Sequence, residues 1–593
     1  MTTSRAAPSS HVGLRRAGLV LLAALAALLL LVLLLGVQAL RLKAHADDLR
    51  DQGRRAEDAL RDGGGVEPER LRTVVADLRQ DTGAMRDITG GVVWRAGTWL
   101  PGVGPSLDAV RVLARVGDGL VTDVLTVAAD TGAELLGEQR SGPLDLRPLT
   151  RRRQPLEIAL ERVRTSQRAV AALGTENGIS AQAVPMLQPR LAQAGDLLEQ
   201  VVVLSRLGAG LSGAEGARRY LVVLQSPAES RATGGLVGGF VELRIERGAA
   251  TVVRQGTRGG RLANGDLGLP PIGGGFDQTW GPYGAFEDWQ SSNVSLDYPA
   301  VSRLWRARYD AQYGGKLDGV VALTPEALSG LLLLTGPVDV GDGVVVDAAR
   351  LPRLLEVELY ERFPTTADET ARDAFQLRVL QRLVSAALRP VKPSAEVLEA
   401  LRTARDGGLR MASAHEDEQE WFRRLPVGGA LPGDARPFVA WTTQSGGGGK
   451  LDVYVQRTLT YRRAAERGGR QTVTAGLEVR NDAPRSGLPE YVTSRPDAGQ
   501  QELGRYPTGT QELLVATYLS VGAEVRSMTV DGRAVRPRLA REQGHLVVLT
   551  TVQVRPGGGT RRVQIVADEP ASDVPVQTVR QPTVNPDVVQ VLG

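Results

Sequence analysis

The sequence predicts a multidomain α+β protein with one N-terminal transmembrane helix, a helical bundle or stalk, a central α/β domain and a C-terminal β-sandwich. Three observations predict this order. An uncharged apolar run spans residues 17–37, helical periodicity then continues to about Leu211, and strand-like patterns begin near Arg218. At 593 residues the chain is too long for a single hydrophobic core, so several folded units are expected.

The apolar run at residues 17–37 predicts the transmembrane helix. As a helix it would extend roughly 31 Å, which is enough to cross the hydrocarbon core of a bilayer. The alternative is a cleaved signal peptide, with Ala44-His45-Ala46 as its cleavage site. We favour an uncleaved anchor, because the run is longer than an ordinary signal core. Residues 1–16 would then be a cytoplasmic tail, and we expect a single-pass cell-membrane protein with its bulk outside the cytoplasm.

Residues 38–212 are predicted to form the bundle or stalk. Apolar residues recur at helical spacing, as in Leu71, Val74, Val75 and Leu78. Glycine and proline break the pattern at residues 63–65, 99–104 and 142–143. Several helices of this length are typical of an antiparallel bundle.

Residues 213–440 are predicted to form the α/β domain, because strand and helix patterns alternate there. Residues 220–225 are a short apolar strand, and Gly319–Leu323 is another. Thr324-Pro325-Glu326 follows the second strand and is a strong helix start, with an N-cap, a proline and an acid in the first turn.

Residues 450–569 are predicted to form an immunoglobulin-like β-sandwich, since short strands follow one another without helical periodicity. Leu451, Val453 and Val455 alternate with polar residues, and Asp531-Gly532 predicts a hairpin turn. Residues 570–593 are rich in proline and predict an extended tail. Glycine clusters at residues 208–216 and 446–449 predict that bundle, α/β domain and sandwich are separate units.

Composition excludes several kinds of site. The chain has no cysteine, which excludes disulfides, thiolate catalysis and cysteine-ligated zinc. Its four histidines are scattered without a metal-binding spacing, so no metal site is predicted. The net charge is only +4 and arginines alternate with acids, so a nucleic-acid partner is not expected. No phosphate-binding loop or nucleophile-elbow motif is present.

The segment from Gln255 to Pro299 is the first candidate ligand surface. It holds ten glycines and six aromatic residues, together with several acids. Aromatic faces with convergent carboxylates suit sugar rings or a metal-bound phosphate. The candidate ligand-binding residues are Asp266, Asp277, Trp280, Trp289 and Asp297. The alternative is a long loop that its aromatic residues pin to their own domain.

Glu229 and Arg231 are the second candidate. They lie in the turn after the first strand, where open α/β sheets place ligand groups. An arginine there can hold phosphate oxygens bidentately. The alternative is a Glu–Arg pair that fixes the turn.

These residues lie in motifs that resemble a known family. Residues 219–235 (RYLVVLQSPAESRATGG), 293–299 (NVSLDYP), 318–320 (DGV) and 449–454 (GKLDVY) look like the family called domain of unknown function 4012. Ser226 stands where the family usually has Asn, and Ser230 where it usually has Leu. The resemblance implies an anchored protein of a Gram-positive envelope, without an assigned activity.

The chain is also distantly similar to the LytR–CpsA–Psr glycopolymer transferases. The run from Asp318 to Val340 is similar to their strand–helix–strand core, and Arg372 and Arg378 resemble the arginines of their next helix. The resemblance places Arg231 near a pyrophosphate contact and implies Mg²⁺ for a transferase. Thr233, however, stands where those enzymes have an acidic metal partner, so the resemblance implies glycan binding more than transfer.

Together these features predict an anchored envelope protein that binds a cell-surface glycopolymer or its lipid-linked pyrophosphate precursor, with transfer as an open extension. The alternative is a non-enzymatic scaffold that positions partner proteins. Acids around Asp297 facing Arg231 would favour binding of the precursor. A buried Arg231 paired only with Glu229 would favour the scaffold.

Overall fold

A computed structural model describes residues 34–35, 37–48, 68–136, 146–176, 178–257, 264–387, 396–434, 436–495 and 505–592. The chain divides into two compact units, the first ending at Gly208 and the second comprising mainly Ala209–Lys392 and Glu396–Gly593. Each unit is described by itself below. The structure is therefore mixed α+β and multidomain, as predicted.

The predicted N-terminal transmembrane helix is not supported. Within the described ranges, no helix is long and apolar enough to cross a membrane. Residues 17–33 and 36 of the predicted span lie outside those ranges, as do the predicted breaks at residues 63–65 and 142–143.

The first unit is helical. Its helices are α1 (Pro68–Gly90), α2 (Val92–Gly97), α3 (Gly104–Leu120), α4 (Thr126–Leu136), α5 (Arg147–Arg151), α6 (Arg153–Ala171) and α7 (Gly178–Leu211, whose last residues belong to the second unit). The predicted break at residues 99–104 separates α2 from α3. Leu156, Leu160 and Val163 recur at helical spacing on α6 and pack against Leu198 and Val202 of α7.

The second unit contains nine further helices among the described residues. They are α8 (Phe276–Trp280), α9 (Tyr298–Tyr313), α10 (Pro325–Thr335), α11 (Arg350–Arg353), α12 (Leu359–Arg362), α13 (Glu369–Ala387), α14 (Glu396–Asp406), α15 (Glu416–Phe422) and α16 (Glu490–Thr493). The predicted helix start at Thr324 is confirmed, because its side chain accepts a hydrogen bond of 3.1 Å from the Ala327 N–H.

The part of this unit that contains most of its helices has a five-stranded mixed sheet. Its strands, in chain order, are β1 (Arg218–Ser226), β2 (Leu236–Glu246), β3 (Ala249–Thr257), β4 (Gly319–Leu323) and β7 (Arg410–Ser413), arranged β3-β2-β1-β4-β7. β1 and β4 pair in parallel, and the other neighbouring pairs are antiparallel. A small hairpin of β5 (Val338–Asp339) and β6 (Val345–Val346) follows α10.

Two antiparallel-rich sheets form the sandwich. One has the order β13-β12-β16-β10-β9-β17 and the other β14-β15-β11-β8. Their strands are β8 (Val439–Ser445), β9 (Val455–Arg463), β10 (Arg470–Asn481), β11 (Gln511–Val521), β12 (Glu524–Val530), β13 (Arg533–Ala534), β14 (Arg538–Glu542), β15 (His545–Val554), β16 (Gly559–Pro570) and β17 (Val588–Leu592). The predicted Asp531-Gly532 turn is confirmed between β12 and β13, where both residues have positive φ.

Three predictions about this region need correction. The predicted α/β domain and sandwich are not separate compact units, because one core joins Val320 and Trp305 to Tyr518 and Leu549. Residues 451–454 form a 3₁₀ turn instead of a strand, since the Asp452 side chain turns inward to bind Ser230. The predicted extended tail ends in β17, which pairs in parallel with β9.

Candidate functional site

Glu229 and Lys450 bring two of the sequence motifs together. The turn after β1 folds back on itself, because the Glu229 N–H donates to Ser226 O (3.1 Å) and the Leu236 N–H donates to Glu229 O (2.9 Å). The Glu229 carboxylate then accepts a hydrogen bond of 2.5 Å from Lys450 Nζ, and both side chains are at most 4% exposed. Burial is the largest single influence on the pKa of Lys450 and lowers it, but the Glu229 carboxylate together with Tyr360 and Tyr491 gives a net rise in that pKa.

Arg231 is buried and points into the protein. Its Nη1 donates to the carbonyl oxygens of Ser230 (2.9 Å) and Ser445 (2.7 Å), and its Nη2 donates to Glu229 Oε1 (3.2 Å). Only 8% of the residue is exposed. The guanidinium group therefore donates its described hydrogen bonds to internal partners. It does not present an exposed pair of N–H groups to a phosphate.

Asp452 completes a buried charge cluster, which we define as Glu229, Arg231, Lys450 and Asp452. Asp452 accepts hydrogen bonds from Ser230 Oγ (2.8 Å) and Gln511 Nε2 (2.8 Å). Burial raises the pKa of Asp452 to about 6, although the bonds from Ser230 partly oppose the shift. The two carboxylates of the cluster balance the charges of its two basic side chains. The contact between Glu229 and Lys450 holds together elements that lie more than 200 residues apart in the sequence.

Gly235 is required by the same turn. Its φ is +116°, and a Cβ there would lie 2.1 Å from Ser226 O. Asn293 Nδ2 donates to Gly235 O (2.8 Å) and to Thr233 Oγ1 (3.1 Å), and Gln225 Nε2 donates to Thr233 Oγ1 (2.6 Å). Thr233, which occupies the position of the expected acidic metal partner, is thus an internal hydrogen-bonding residue.

Arg372 reaches the buried charge cluster through two aromatic rings. Its guanidinium lies 3.5 Å from the centroid of the Tyr491 ring, and Tyr491 stacks on Tyr360 at 5.6 Å. Lys450 Nζ lies 6.0 Å from the centroid of Tyr360. Arg372 is only 2% exposed, so it supports packing and presents no surface to a ligand. Arg378 is elsewhere on α13 and pairs with Asp342 at 2.7 Å.

The aromatic residues of the loop before α9 form core and do not form an open platform. Trp280 is fully buried and donates a hydrogen bond of 2.9 Å to Glu542. Trp289 is 1% exposed and stacks on Trp305 at 6.4 Å. Asp277 accepts from the N–H groups of Ile272 and Gly273, and the exposed Asp266 accepts from the Gly268 N–H. These contacts support the alternative in which the loop is pinned to its own domain.

Asp297 lies in a second buried acidic group, with Glu542. Asp297 accepts hydrogen bonds from the Leu431 N–H (3.1 Å) and Gln543 Nε2 (3.2 Å), and burial raises its pKa. Glu542 accepts from Ser295 Oγ, Tyr518 Oη and Trp280 Nε1. Burial and, secondarily, the charge of Asp297 raise the pKa of Glu542 to about 7. None of the described contacts joins Asp297 to Arg231.

The residues around Arg231 do not fit the Mg²⁺ ion that a transferase would use. The Glu229 carboxylate is bonded to Lys450 and Arg231, and the Asp452 carboxylate to Ser230 and Gln511. Thr233 supplies no charge. A hard cation needs free oxygen ligands, so these side chains support no reaction step through a metal ion.

A separate group of metal-ligand type lies in the first unit. His45 Nδ1 is 2.8 Å from Asp81 Oδ1, and Asp48 lies within 4.8 Å of both. No sequence motif indicates this group, because His45 and Asp81 are 36 residues apart. We assign the His45–Asp81 contact to a hydrogen bond between the imidazole ring and the carboxylate.

Sequence reasoning missed a narrow apolar slot at the carboxyl end of β1. Its floor consists of Leu224, Gln225 and Ser226 of β1 and of Gly238 and Gly239 of β2. Pro325 and Leu328 of α10, Leu355 and four residues of α13 (Gln376, Val379, Leu380 and Leu383) cover it. Its volume is about 60 Å³. The only sequence signal was the glycine pair at 238–239, where the lack of side chains leaves the space open.

Comparisons with known proteins give one family. Residues 215–360 match the family model described as "Protein of unknown function (DUF4012)". No curated protein matches the chain. Among solved structures, the Lin1025 protein from Listeria innocua is similar at 11% identity, covering 34% of this chain and 75% of that one. Its TM-score of 0.20 is too low to carry any argument. The similarity to LytR–CpsA–Psr transferases is not shown by these comparisons.

Proposed function

We propose, for a chain that belongs to the DUF4012 family, that its second unit binds the lipid-linked precursor of a cell-surface glycopolymer. The observation that supports this function best is the apolar slot at the carboxyl end of β1. It lies where α/β sheets commonly bind ligands, and β1 is the strand that opens the first family motif.

The shape of the slot limits which part of a precursor it can take. A volume of about 60 Å³ is too small for a sugar ring, but the mainly apolar lining suits the end of a hydrocarbon chain. Its walls are mainly Leu and Val side chains from α10 and α13. Burying a methylene group there is worth about 0.8 kcal/mol, so a few of them give measurable affinity.

Transfer of the glycan is not part of this proposal. Arg231 and Glu229 are bonded to internal partners, and Thr233 replaces the acid that a related transferase would use. The placement of the chain's bulk outside the cytoplasm stays a prediction.

Filling the slot tests the proposal. A Cβ at Gly238 would meet only Leu224 O at 3.9 Å, so Gly238→Leu would place its side chain in the slot without backbone strain. Gly216→Leu is the matched control, because nothing lies within 4 Å of a Cβ there and the residue is outside the slot. We expect geranylgeranyl diphosphate to bind the full chain at least tenfold more weakly after Gly238→Leu only, as measured by calorimetry.

Inorganic pyrophosphate is the head-group control in that experiment. Its affinity should be the same for the wild type and both variants, since the slot takes the hydrocarbon chain. Equal binding of geranylgeranyl diphosphate by the wild type and Gly238→Leu would contradict the proposal, as would no binding at all.

The scaffold is the second candidate function, and one specific observation favours it. Arg231 is buried and its described partners are Glu229 and two backbone carbonyls. In that case the family motifs serve stability alone. Wild-type protein that binds no prenyl diphosphate, yet loses stability when the buried charge cluster is altered, would favour this candidate.

A further inference from the structure

Two arginines of α9 share an open cavity at the opposite end of the sheet from the slot. Arg303 and Arg306 lie three residues apart and therefore on one face of the helix. They line a cavity of about 550 Å³ with Lys316, which precedes β4. Like charges at this spacing destabilise a helix unless an anion compensates them.

Arg306 has no acidic partner among the described residues. The atom Nε is buried without a hydrogen-bond partner, and the residue is half-buried. Burial and the neighbouring Arg303 lower the pKa of Arg306, which is the opposite of what an ion pair does. Arg303 makes one weak hydrogen bond, of 3.5 Å, to Ile272 O.

The acids of the cavity do not neutralise these cations. Asp318 is engaged by Arg218 (3.1 Å) and His415 (2.8 Å). Asp310 is exposed and forms no ion pair with another described residue. The cavity therefore has three cationic side chains, those of Arg303, Arg306 and Lys316, and one carboxylate outside the described ion pairs, that of Asp310. Its net charge is positive.

We infer that this cavity is a binding site for a phosphorylated sugar, with Arg303 and Arg306 holding the phosphate. Two guanidinium groups suit phosphate oxygens, because each can donate two parallel hydrogen bonds. Asp310 is placed to accept hydrogen bonds from sugar hydroxyls. Pro270, Pro271 and Ile272 supply an apolar wall for the face of the ring.

This inference does not depend on the slot. The cavity lies near the amino end of β4, whereas the slot lies at the carboxyl end of β1, its parallel neighbour. Its volume exceeds that of the slot about ninefold, so it can hold a whole sugar phosphate. A negative binding result at one of the two sites would therefore not count against the proposal for the other.

Calorimetric titration of the full chain with glucose 1-phosphate, inorganic phosphate and glucose tests the site. We expect saturable binding of glucose 1-phosphate, tighter than that of inorganic phosphate, and no binding of glucose. Arg303→Gln and Arg306→Gln should each weaken glucose 1-phosphate binding about 10- to 100-fold, the effect of losing a charge-assisted hydrogen bond. Arg382→Gln, an exposed arginine of α13 outside the cavity, should leave it unchanged.

Thermal melts show whether each variant is folded, so a loss of ligand binding can be distinguished from a loss of folding. Without ligand, Arg306→Gln should melt at the same temperature as the wild type or higher, because it removes an uncompensated charge. Glucose 1-phosphate should raise the melting temperature of the wild type and not that of Arg306→Gln. Equal binding by the wild type and Arg306→Gln would overturn the inference, as would binding of glucose 1-phosphate no tighter than that of inorganic phosphate.

Discussion

Lys450 Nζ donates a hydrogen bond of 2.5 Å to Glu229 Oε2, and neither side chain is more than 4% exposed. The contact joins the turn after β1 to the residue that precedes the 3₁₀ turn at Leu451–Tyr454. Because both charges are buried, the Lys450 ammonium group depends on Glu229 for compensation, and the Glu229 carboxylate is compensated by Lys450 and Arg231 together. The motif residues Glu229 and Lys450 therefore belong to one structural contact.

Breaking this ion pair on one side should be costly. Lys450→Met removes the closer of the two cations that pair with the buried Glu229 carboxylate, and Glu229→Gln removes the carboxylate that pairs with the buried ammonium group. We expect each change to lower the free energy of unfolding by about 3–5 kcal/mol. Urea unfolding would measure it. The double variant should lose less than the sum of the two single losses, and Arg378→Met, which breaks an exposed pair with Asp342, should cost under about 1 kcal/mol.

Gly235 should tolerate no side chain. At φ +116° an alanine is strained, and its Cβ would overlap Ser226 O at 2.1 Å. We expect Gly235→Ala to lower the free energy of unfolding by more than about 3 kcal/mol or to prevent folding. Gly238→Ala on the next strand is the control and should cost under about 1 kcal/mol, because a Cβ there has room. Equal melting temperatures for the two variants would refute the assigned turn geometry.

Glu542 should make stability depend on pH. Its pKa is raised from 4.5 to about 7, so between these values the folded protein binds more protons than the unfolded chain. The contribution of Glu542 to the free energy of unfolding is therefore greatest below about pH 4.5. It falls by roughly 3 kcal/mol in total as the pH rises towards 7. Glu542→Gln cannot titrate and should flatten this fall. Chemical unfolding at several pH values tests this, and identical slopes for both proteins would contradict it.

Limited proteolysis should leave residues 446–449 intact. The glycines there predict a linker, yet the Ser445, Gly446 and Lys450 N–H groups donate to Ser230, Glu512 and Val492 carbonyls. We expect a stable fragment that begins between about residues 208 and 218 and continues through the sandwich. Mass spectrometry of the fragments would show it. Early cleavage at residues 446–449 would show instead that α/β domain and sandwich separate.

Local chemistry made several features predictable from the sequence. Thr324-Pro325 and Asp531-Gly532 have backbone preferences that act within four residues, and both turns lie where they were expected. The strands β1 and β4 were likewise visible as short apolar runs. These signals need no knowledge of the distant chain.

The partners of the buried residues were not predictable in the same way. The composition of an aromatic loop is the same whether Trp280 faces a sugar or Glu542, and only tertiary packing decides between them. Arg231 could equally have bound a phosphate or the Ser445 carbonyl, which lies 214 residues further along the chain. The slot was not predictable because it is formed by the absence of side chains at residues 238–239.

Arg231→Ala tests the central claim most directly, namely that the buried charge cluster stabilises the fold while the ligand binds in the slot. Melting temperature and geranylgeranyl diphosphate affinity should be measured on the same full-length preparation, with Arg231→Lys beside it. We expect a loss of about 2–4 kcal/mol in the free energy of unfolding, little recovery by lysine, and an affinity unchanged within about twofold while the protein is folded. An affinity at least tenfold weaker with an unchanged melting temperature would contradict the account. It would indicate instead that Arg231 contacts the ligand.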